Sequence, residues 1–286
     1  MGSTVRSLAA DGAVRVLWVD ALDVAVEAAR VHGLRGGSAA LCAEAVVAAA
    51  LLGAHIKGEE RITLQFQGES PQVAIYAEFR ADGSARARLT PPVIGGGAGQ
   101  PVVGILMVIK SDAVREVYRA LTEVRHTAIE DALRQHLHDS EQVDAVLRIA
   151  VALGADGAPS RAAGVLVERL PEAVGRPSLD AASFAPLYGA VADEDAAALF
   201  GGLARGELLG EALEPLATTP IAWRCTCSLG KVEAMLVGLG VAELDDMLHT
   251  DGGASVTCHF CNTERVFDRA ALTALRDRAS GSVGEA

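Results

Sequence analysis

Aromatic residues are scarce. Phe, Tyr and Trp make up 4% of the 286 residues, while the apolar content reaches 50% and leans on Ala and Val. This implies a core of small side chains, in a chain long enough for about two domains. Basic charge is also short: Lys and Arg number 25 against 37 Asp and Glu, a formal net charge of −12. A nucleic-acid-binding protein needs a basic face to displace counterions, so no nucleic-acid partner is expected, and anionic membrane surfaces are disfavoured too. Long hydrophobic runs are missing. The longest, Ala45–Ala54 "AVVAAALLGA", cannot span a bilayer and reads as part of a buried helix. The opening "MGSTVRSLAADGAVRV" has neither an apolar h-region nor a cleavage site, so a soluble, cytoplasmic protein is expected. Cysteine occurs five times. In a reducing compartment, cysteines that cluster are more often metal ligands or redox centres than structural bridges.

The remaining patterning points to an α+β chain. Arg61–Gln67 "RITLQFQ", Gln72–Phe79 "QVAIYAEF" and Ser84–Leu89 "SARARL" are β-type runs separated by the turn sequences "GESP" and "RADG", an antiparallel meander. Pro101–Lys110, Val146–Leu153 and Ala163–Leu170 are further strands. One helix is expected over Ser38–His55 with Ser38 as its N-cap. A second, "TAIEDALRQHLHDS", places Ile129, Leu133, His136 and Leu137 on one face. Strands in blocks with inserted helices suggest a core domain over residues 1–170.

Composition changes at Pro171. Residues 171–222 hold five of the ten prolines, six glycines, eight acids and two bases, which is half of the net charge. Helical spacing persists at Ala197, Phe200 and Leu203, then at Leu208, Leu209 and Leu213. Gly201, Gly202, Gly206 and Gly210 each weaken a helix by roughly 1 kcal/mol relative to Ala. The segment reads as a linker of marginal helices that need a neighbouring surface.

Four of the five cysteines lie in the last 62 residues: Cys225 and Cys227 as C-x-C, then, thirty residues on, Cys258 and Cys261 as C-x-x-C. Two close pairs of soft thiolates suit one tetrahedral zinc. The segment between them contains one or two helices, with Val232, Met235, Leu236 and Leu239 on a face. "ASVTCHFCNTERVFD" reads as a hairpin with C-x-x-C at its turn, and "RAALTALRDR" as a closing helix. So small a module has little core of its own, and a metal offsets that deficit. In an extended chain the C-x-C residues lie ~6.6 Å apart at Cα, the outer limit for a disulfide, so a bridge there needs a bend. The same thiols suit a fixed zinc clip or a reversible disulfide, and spacing leaves both open.

The run "WRCTCSLGKVEAMLVGLGVAELDDMLHTDGGASVTCHFCNTERVFD" closely resembles the zinc domain of the redox-regulated heat-shock holdases called the 33 kDa chaperonin family. Upstream, "AALLGAHIKGEERITLQFQGESP", "DSEQV" and "AAGVLVERLPEA" are similar to segments of that family's core, so the resemblance spans nearly the whole chain. It implies a core chaperone domain (1–170), a metastable helical linker (171–222) and a C-terminal zinc-binding redox switch (223–286). The implied activity is that of an ATP-independent chaperone that binds unfolding client proteins; it is not an enzyme. Reduced, Cys225, Cys227, Cys258 and Cys261 would hold one Zn2+ and the protein would be idle. Oxidised, Cys225 would pair with Cys227 and Cys258 with Cys261, zinc would leave, the linker would unfold, and the active form would be a homodimer.

Other features have plainer readings. Cys42, in mid-helix, reads as a small core residue. His259, inside C-x-x-C, is not needed by a site that four thiolates complete. Gly95–Gly99 "GGGAG" lacks the "GK[ST]" of a phosphate loop. Among His126, His136 and His138, only His138 has suitably placed acids (Asp139 and Glu141), which suits a solvated helix face. Trp223 reads as packing. Two rival functions are weaker. A thiol-disulfide oxidoreductase carries C-x-x-C at a helix start after a strand. A zinc-ribbon nucleic-acid-binding module fits poorly with the six bases and nine acids of residues 223–286.

Overall fold

The computed structural model describes residues 2–9, 12–92, 96–171, 196–207 and 212–282. They divide into two compact units, Met1–Arg224 and Cys225–Ala286. In chain order the first unit contains β1 (Ser3–Ala9), β2 (Val14–Asp20), α1 (Leu22–His32), α2 (Gly36–Gly53), β3 (Arg61–Ser70), β4 (Gln72–Arg80), β5 (Ser84–Thr90), β6 (Val102–Ser111), β7 (Glu116–Thr127), α3 (Ile129–Asp139), β8 (Ala145–Leu153), β9 (Pro159–Arg169), α4 (Ala196–Ala204), β10 (Glu214–Pro220) and β11 (Ala222–Trp223). One sheet has the order β10-β1-β2-β9-β8 and the other β11-β5-β4-β3-β6-β7. The expected meander is β3-β4-β5, antiparallel, with Gln65 opposite Tyr76 and Ala77 opposite Ala87.

Helix α2 packs against β3, β4 and β5 of one sheet and β2, β8 and β9 of the other. Contact on both sides explains its sequence, since a helix with no solvent face needs no polar stripe. Every residue from Gly37 to Gly53 is buried. By length and composition α2 is also the one helix among the described residues that would pass for a membrane span, and its burial accounts for that. Ser38 does not cap it. The helix starts at Gly36, Arg35 occupies the N-cap position with extended backbone, and Ser38 lies buried in the first turn. Glu44 is the only ionisable carboxylate on α2. Its Oε1 accepts a 2.6 Å hydrogen bond from the Gly99 N–H, and its Oε2 is buried without a partner. Burial pushes the carboxyl up to about 7; the Gly99 bond opposes this and Glu130 adds to it.

Of the segment expected to be a helical linker, residues 172–195 and 208–211 lie outside the described residues, and with them Leu208, Leu209 and Gly210. Helix α4 carries Ala197, Phe200 and Leu203, and it packs on β8 and β9. Leu203 is buried, and the Phe200 ring stacks on Trp18 with centroids 4.9 Å apart. Residues 214–220 form a strand, not a helix. Strand β10 pairs antiparallel with β1, and Pro215 and Pro220 are tolerated because it is the outer strand of its sheet.

The second unit consists of α5 (Leu229–Leu239), α6 (Val241–Thr250), the antiparallel hairpin β12 (Ala254–Thr257) and β13 (Glu264–Phe267), and α7 (Arg269–Ser282). Its buried cluster is Leu236, Leu244, Phe267, Leu272, Leu275 and Ala279. Of the face expected on α5, Leu236 is buried and Val232 half-buried, while Met235 and Leu239 stay exposed. Exposed ion pairs, Arg276 to Asp245 at 2.8 Å and Arg278 to Glu233 at 3.2 Å, tie α7 to the other two helices. Such exposed pairs add little to stability.

Candidate metal centre

Cys225 and Cys227 lie just before α5. Ser228 is the N-cap of that helix, its hydroxyl accepting a 3.2 Å bond from the Lys231 N–H. Lys231 Nζ reaches back to the Thr226 carbonyl at 2.9 Å and closes the C-x-C turn. Cys258 and Cys261 lie in the turn between β12 and β13. The Cys258 N–H donates to the Thr263 carbonyl (3.0 Å) and the Asn262 N–H to the Cys258 carbonyl (2.9 Å). Asn262 takes a left-handed φ of 52°, a conformation that asparagine tolerates better than most residues.

All four sulfur atoms lie within 4.8 Å of one another. Cys225 Sγ is 3.6 Å from Cys258 Sγ, and Cys227 Sγ is 3.4 Å from Cys261 Sγ. A tetrahedron with ~2.3 Å metal–sulfur bonds has edges of ~3.8 Å, so these spacings fit a four-thiolate site for a zinc-like ion without rebuilding the backbone. The thiols are not bonded to one another. Burial and hydrogen bonding to Cys261, Cys225 and Cys258 push Cys227 up to about 12. For Cys261 burial also acts upward, but hydrogen bonding to the Thr263 hydroxyl and backbone and to the neighbouring thiols brings it down to about 6. Cys227 and Cys261, 3.4 Å apart at sulfur, are thus pushed in opposite directions.

Other expected features fall elsewhere. Cys42 is buried in α2, and burial pushes its thiol up to about 12, consistent with an inert core residue. His259 is exposed. His138 is exposed beside Asp139, at 2.8 Å. The reading of His136 needs correction: it is fully buried, and its Nε2 lies 3.3 Å from Glu141 Oε1, so it too has an acid partner. Burial at a helical core position was legible at 136; the acid supplied by the following loop was not. Gly99 belongs to the Glu44 contact, not to a phosphate loop. Trp223 is half-buried against the core of the first unit. The C-x-x-C sits at a hairpin turn, not at the helix start that a disulfide oxidoreductase uses.

Residues 2–268 match a family model described as Hsp33 protein. The "33 kDa chaperonin" of Bacillus subtilis is 28% identical, the alignment covering 98% of this chain and all of that one. That of Pelobacter propionicus is 31% identical over 96% of this chain and 94% of its own length. Among solved structures, the 33 kDa chaperonin of Thermotoga maritima (heat shock protein 33 homolog) superposes with a TM-score of 0.81. It covers 98% of this chain and 99% of that one at 22% identity, a likeness of fold.

Proposed function

The chain belongs to the Hsp33 family of chaperones, and we propose that it is a redox-regulated, ATP-independent holdase whose switch is the four-thiol centre of its second unit. The observation that carries this reading is the convergence of Cys225, Cys227, Cys258 and Cys261 within 4.8 Å in a unit with only a small buried core. A bound zinc would supply a staple worth on the order of 10–16 kcal/mol of apparent folding energy in such small modules. The C-x-C turn and the C-x-x-C turn are thirty residues apart in sequence, and a shared metal would tie one directly to the other.

Oxidation removes that shared ligand set. Each disulfide would take two electrons from a pair of thiolates, and peroxide would accept them, with two protons from solvent, to give two molecules of water while the metal leaves. We infer that the pairs are local, Cys225 with Cys227 and Cys258 with Cys261. Local bridges close each turn on itself and release one turn from the other, whereas a Cys225–Cys258 bridge would keep them joined. In the same reading residues 171–222 form the conditional element: acidic, glycine-rich, and dependent on packing such as Phe200 on Trp18. Its charge keeps an opened form soluble. Clients are unfolding proteins, and the oxidised form is a homodimer in the cytoplasm.

Zinc and thiol counting before and after peroxide, run beside an aggregation-suppression assay, tests the proposal. Reduced protein should hold one zinc and suppress nothing; oxidised protein should have lost zinc, carry the two local bridges and suppress aggregation. Cys42→Ser should change none of this. A dominant Cys225–Cys258 bridge, or suppression independent of oxidation, would overturn it.

A further inference from the structure

Strand β7 ends the six-stranded sheet, so among the described residues one of its edges has no neighbouring strand in that sheet. It runs from Glu116 to Thr127, long for an edge strand, and its outer face exposes Val117 (53%) and Leu121 (60%) beside Ile105 of β6 (47%). Long, apolar, unpaired edges recruit other strands, and proteins normally guard them. The charges here do not guard the edge uniformly. They are ordered: Arg119, Leu121 and Glu123 alternate along one face.

That order is self-complementary. An antiparallel pairing of β7 with the β7 of a second copy, about a two-fold axis normal to the sheet and centred on Leu121, sets Leu121 against the partner's Leu121. It also sets Arg119 against the partner's Glu123, and by symmetry Glu123 against the partner's Arg119. Shifting the centre to Ala120 sets Arg119 against the partner's Leu121 and Glu123 against the partner's Val117, so both ion pairs are lost; shifting it to Thr122 opposes Arg119 with the partner's Arg125. The second shift places like charges directly opposite, which destabilises a ladder. Within the chain Arg119 pairs with Glu116 at 2.6 Å and Arg125 with Glu123 at 2.7 Å, all four side chains exposed. Exposed pairs of this kind exchange partners at little cost.

We propose that β7 is the interface of an isologous homodimer in which two six-stranded sheets join edge to edge in the Leu121-centred register. This names a surface for the homodimer proposed above, and it rests on that reading for the state in which pairing occurs, not for the surface itself. A client segment would also fit a bare edge, but a client of arbitrary sequence gives no reason for a palindromic Arg-Leu-Glu order; a second copy does.

A charge swap decides between them. Sedimentation equilibrium is run on the full chain, zinc-loaded and reduced, and again after peroxide. In whichever state wild type dimerises, Arg119→Glu opposes two symmetric Glu–Glu pairs and should raise the dimer Kd by about tenfold. Adding Glu123→Arg restores complementarity with the signs exchanged and should return Kd to within about threefold of wild type. All substituted positions are exposed, so folding should be unaffected. A dimer whose Kd ignores Arg119→Glu, or a double variant that fails to recover, overturns the interface while leaving the homodimer reading standing. Wild type that stays monomeric to about 100 µM in both states overturns both. Weaker client binding by Arg119→Glu in a monomer would assign the edge to clients instead.

Discussion

Helix α2 and the C-terminal unit solve the same problem with opposite means. Every residue of α2 from Gly37 to Gly53 is buried between two sheets. Fully burying one Leu or Val contributes about 1.5–3 kcal/mol, so the first unit can hold itself together by packing alone. The second unit buries a cluster of six apolar side chains and leaves Leu229, Met235, Leu239 and Val266 exposed. What it has instead is four sulfur atoms in one small volume. A core made of many contacts cannot be removed by a single chemical event. A core made of one shared ion could, and on the proposed reading that difference would suit the second unit to sensing.

Metal removal should break the comparison most sharply. Stripping zinc from the reduced protein with a chelator, or replacing Cys258 with Ser, should cost the second unit on the order of 10 kcal/mol, more than so small a module holds in reserve. Amide exchange across residues 229–282 should become unprotected while α2 and the meander stay protected. If the second unit keeps its protection without metal, its apolar cluster is sufficient and the proposed switch has nothing to release.

The next effect is pH, and it acts on the two units with opposite sign. Thiolates bind metal better as pH rises. Glu44 behaves the other way. Its folded value, about 7, lies above the ~4.3 of an unfolded glutamate, so the folded state holds the extra proton between those two values. Stability from this group is therefore fully present below ~4.3 and is lost as pH climbs through about 7, a change of roughly 3–4 kcal/mol in total. Denaturant unfolding of the zinc-loaded protein across that window should show the slope, and Glu44→Gln should remove it. The slope, not the absolute stability, is the readout, because a buried amide brings its own unpaired donors. An unchanged slope in Glu44→Gln would place the titrating group elsewhere.

How legible all this was depended on how local the signal is. The β12–β13 hairpin with C-x-x-C at its turn, the meander and the α2 interior each rest on neighbours in sequence, and each could be read. Strands β1 and β2 went unread although they pair antiparallel with each other and the sequence between them holds Asp11-Gly12, a turn dipeptide; their other partners, β10 and β9, lie far along the chain. Strand β7 was missed because its exposed face alternates charge with apolar side chains, as a surface strand does. Strand β10 falls inside the segment read as helical linker from its composition and the helical apolar spacing up to Leu213, and its two prolines are acceptable in a strand because it lies at the edge of the sheet. The cap of α2 was misplaced because a serine near a helix start is a common cap, and here the buried first turn needed a small residue instead.

The smallest effects lie between the two regimes, in α4, and they come as an opposed pair. Gly206 has a φ of 79°, its N–H donates to the Leu203 carbonyl and the Glu207 N–H to the Gly202 carbonyl, so it ends the helix in a left-handed turn. Gly206→Ala should destabilise α4 by roughly 1 kcal/mol. Gly201 lies inside the helix, where an added methyl meets only the guanidinium of Arg205 at 3.1 Å, the mobile end of an exposed side chain. Gly201→Ala should stabilise α4 by up to about 1 kcal/mol. Amide exchange in residues 196–204 and the fluorescence of Trp18, which stacks on Phe200, should report the two shifts in opposite directions. If release of this helix gates the holdase, Gly206→Ala should lower the oxidant dose needed for activity and Gly201→Ala should raise it. Should exchange separate the variants while their activation curves coincide, α4 is part of the packed first unit in function as well as in contact, and the gate must be sought among the thiols alone.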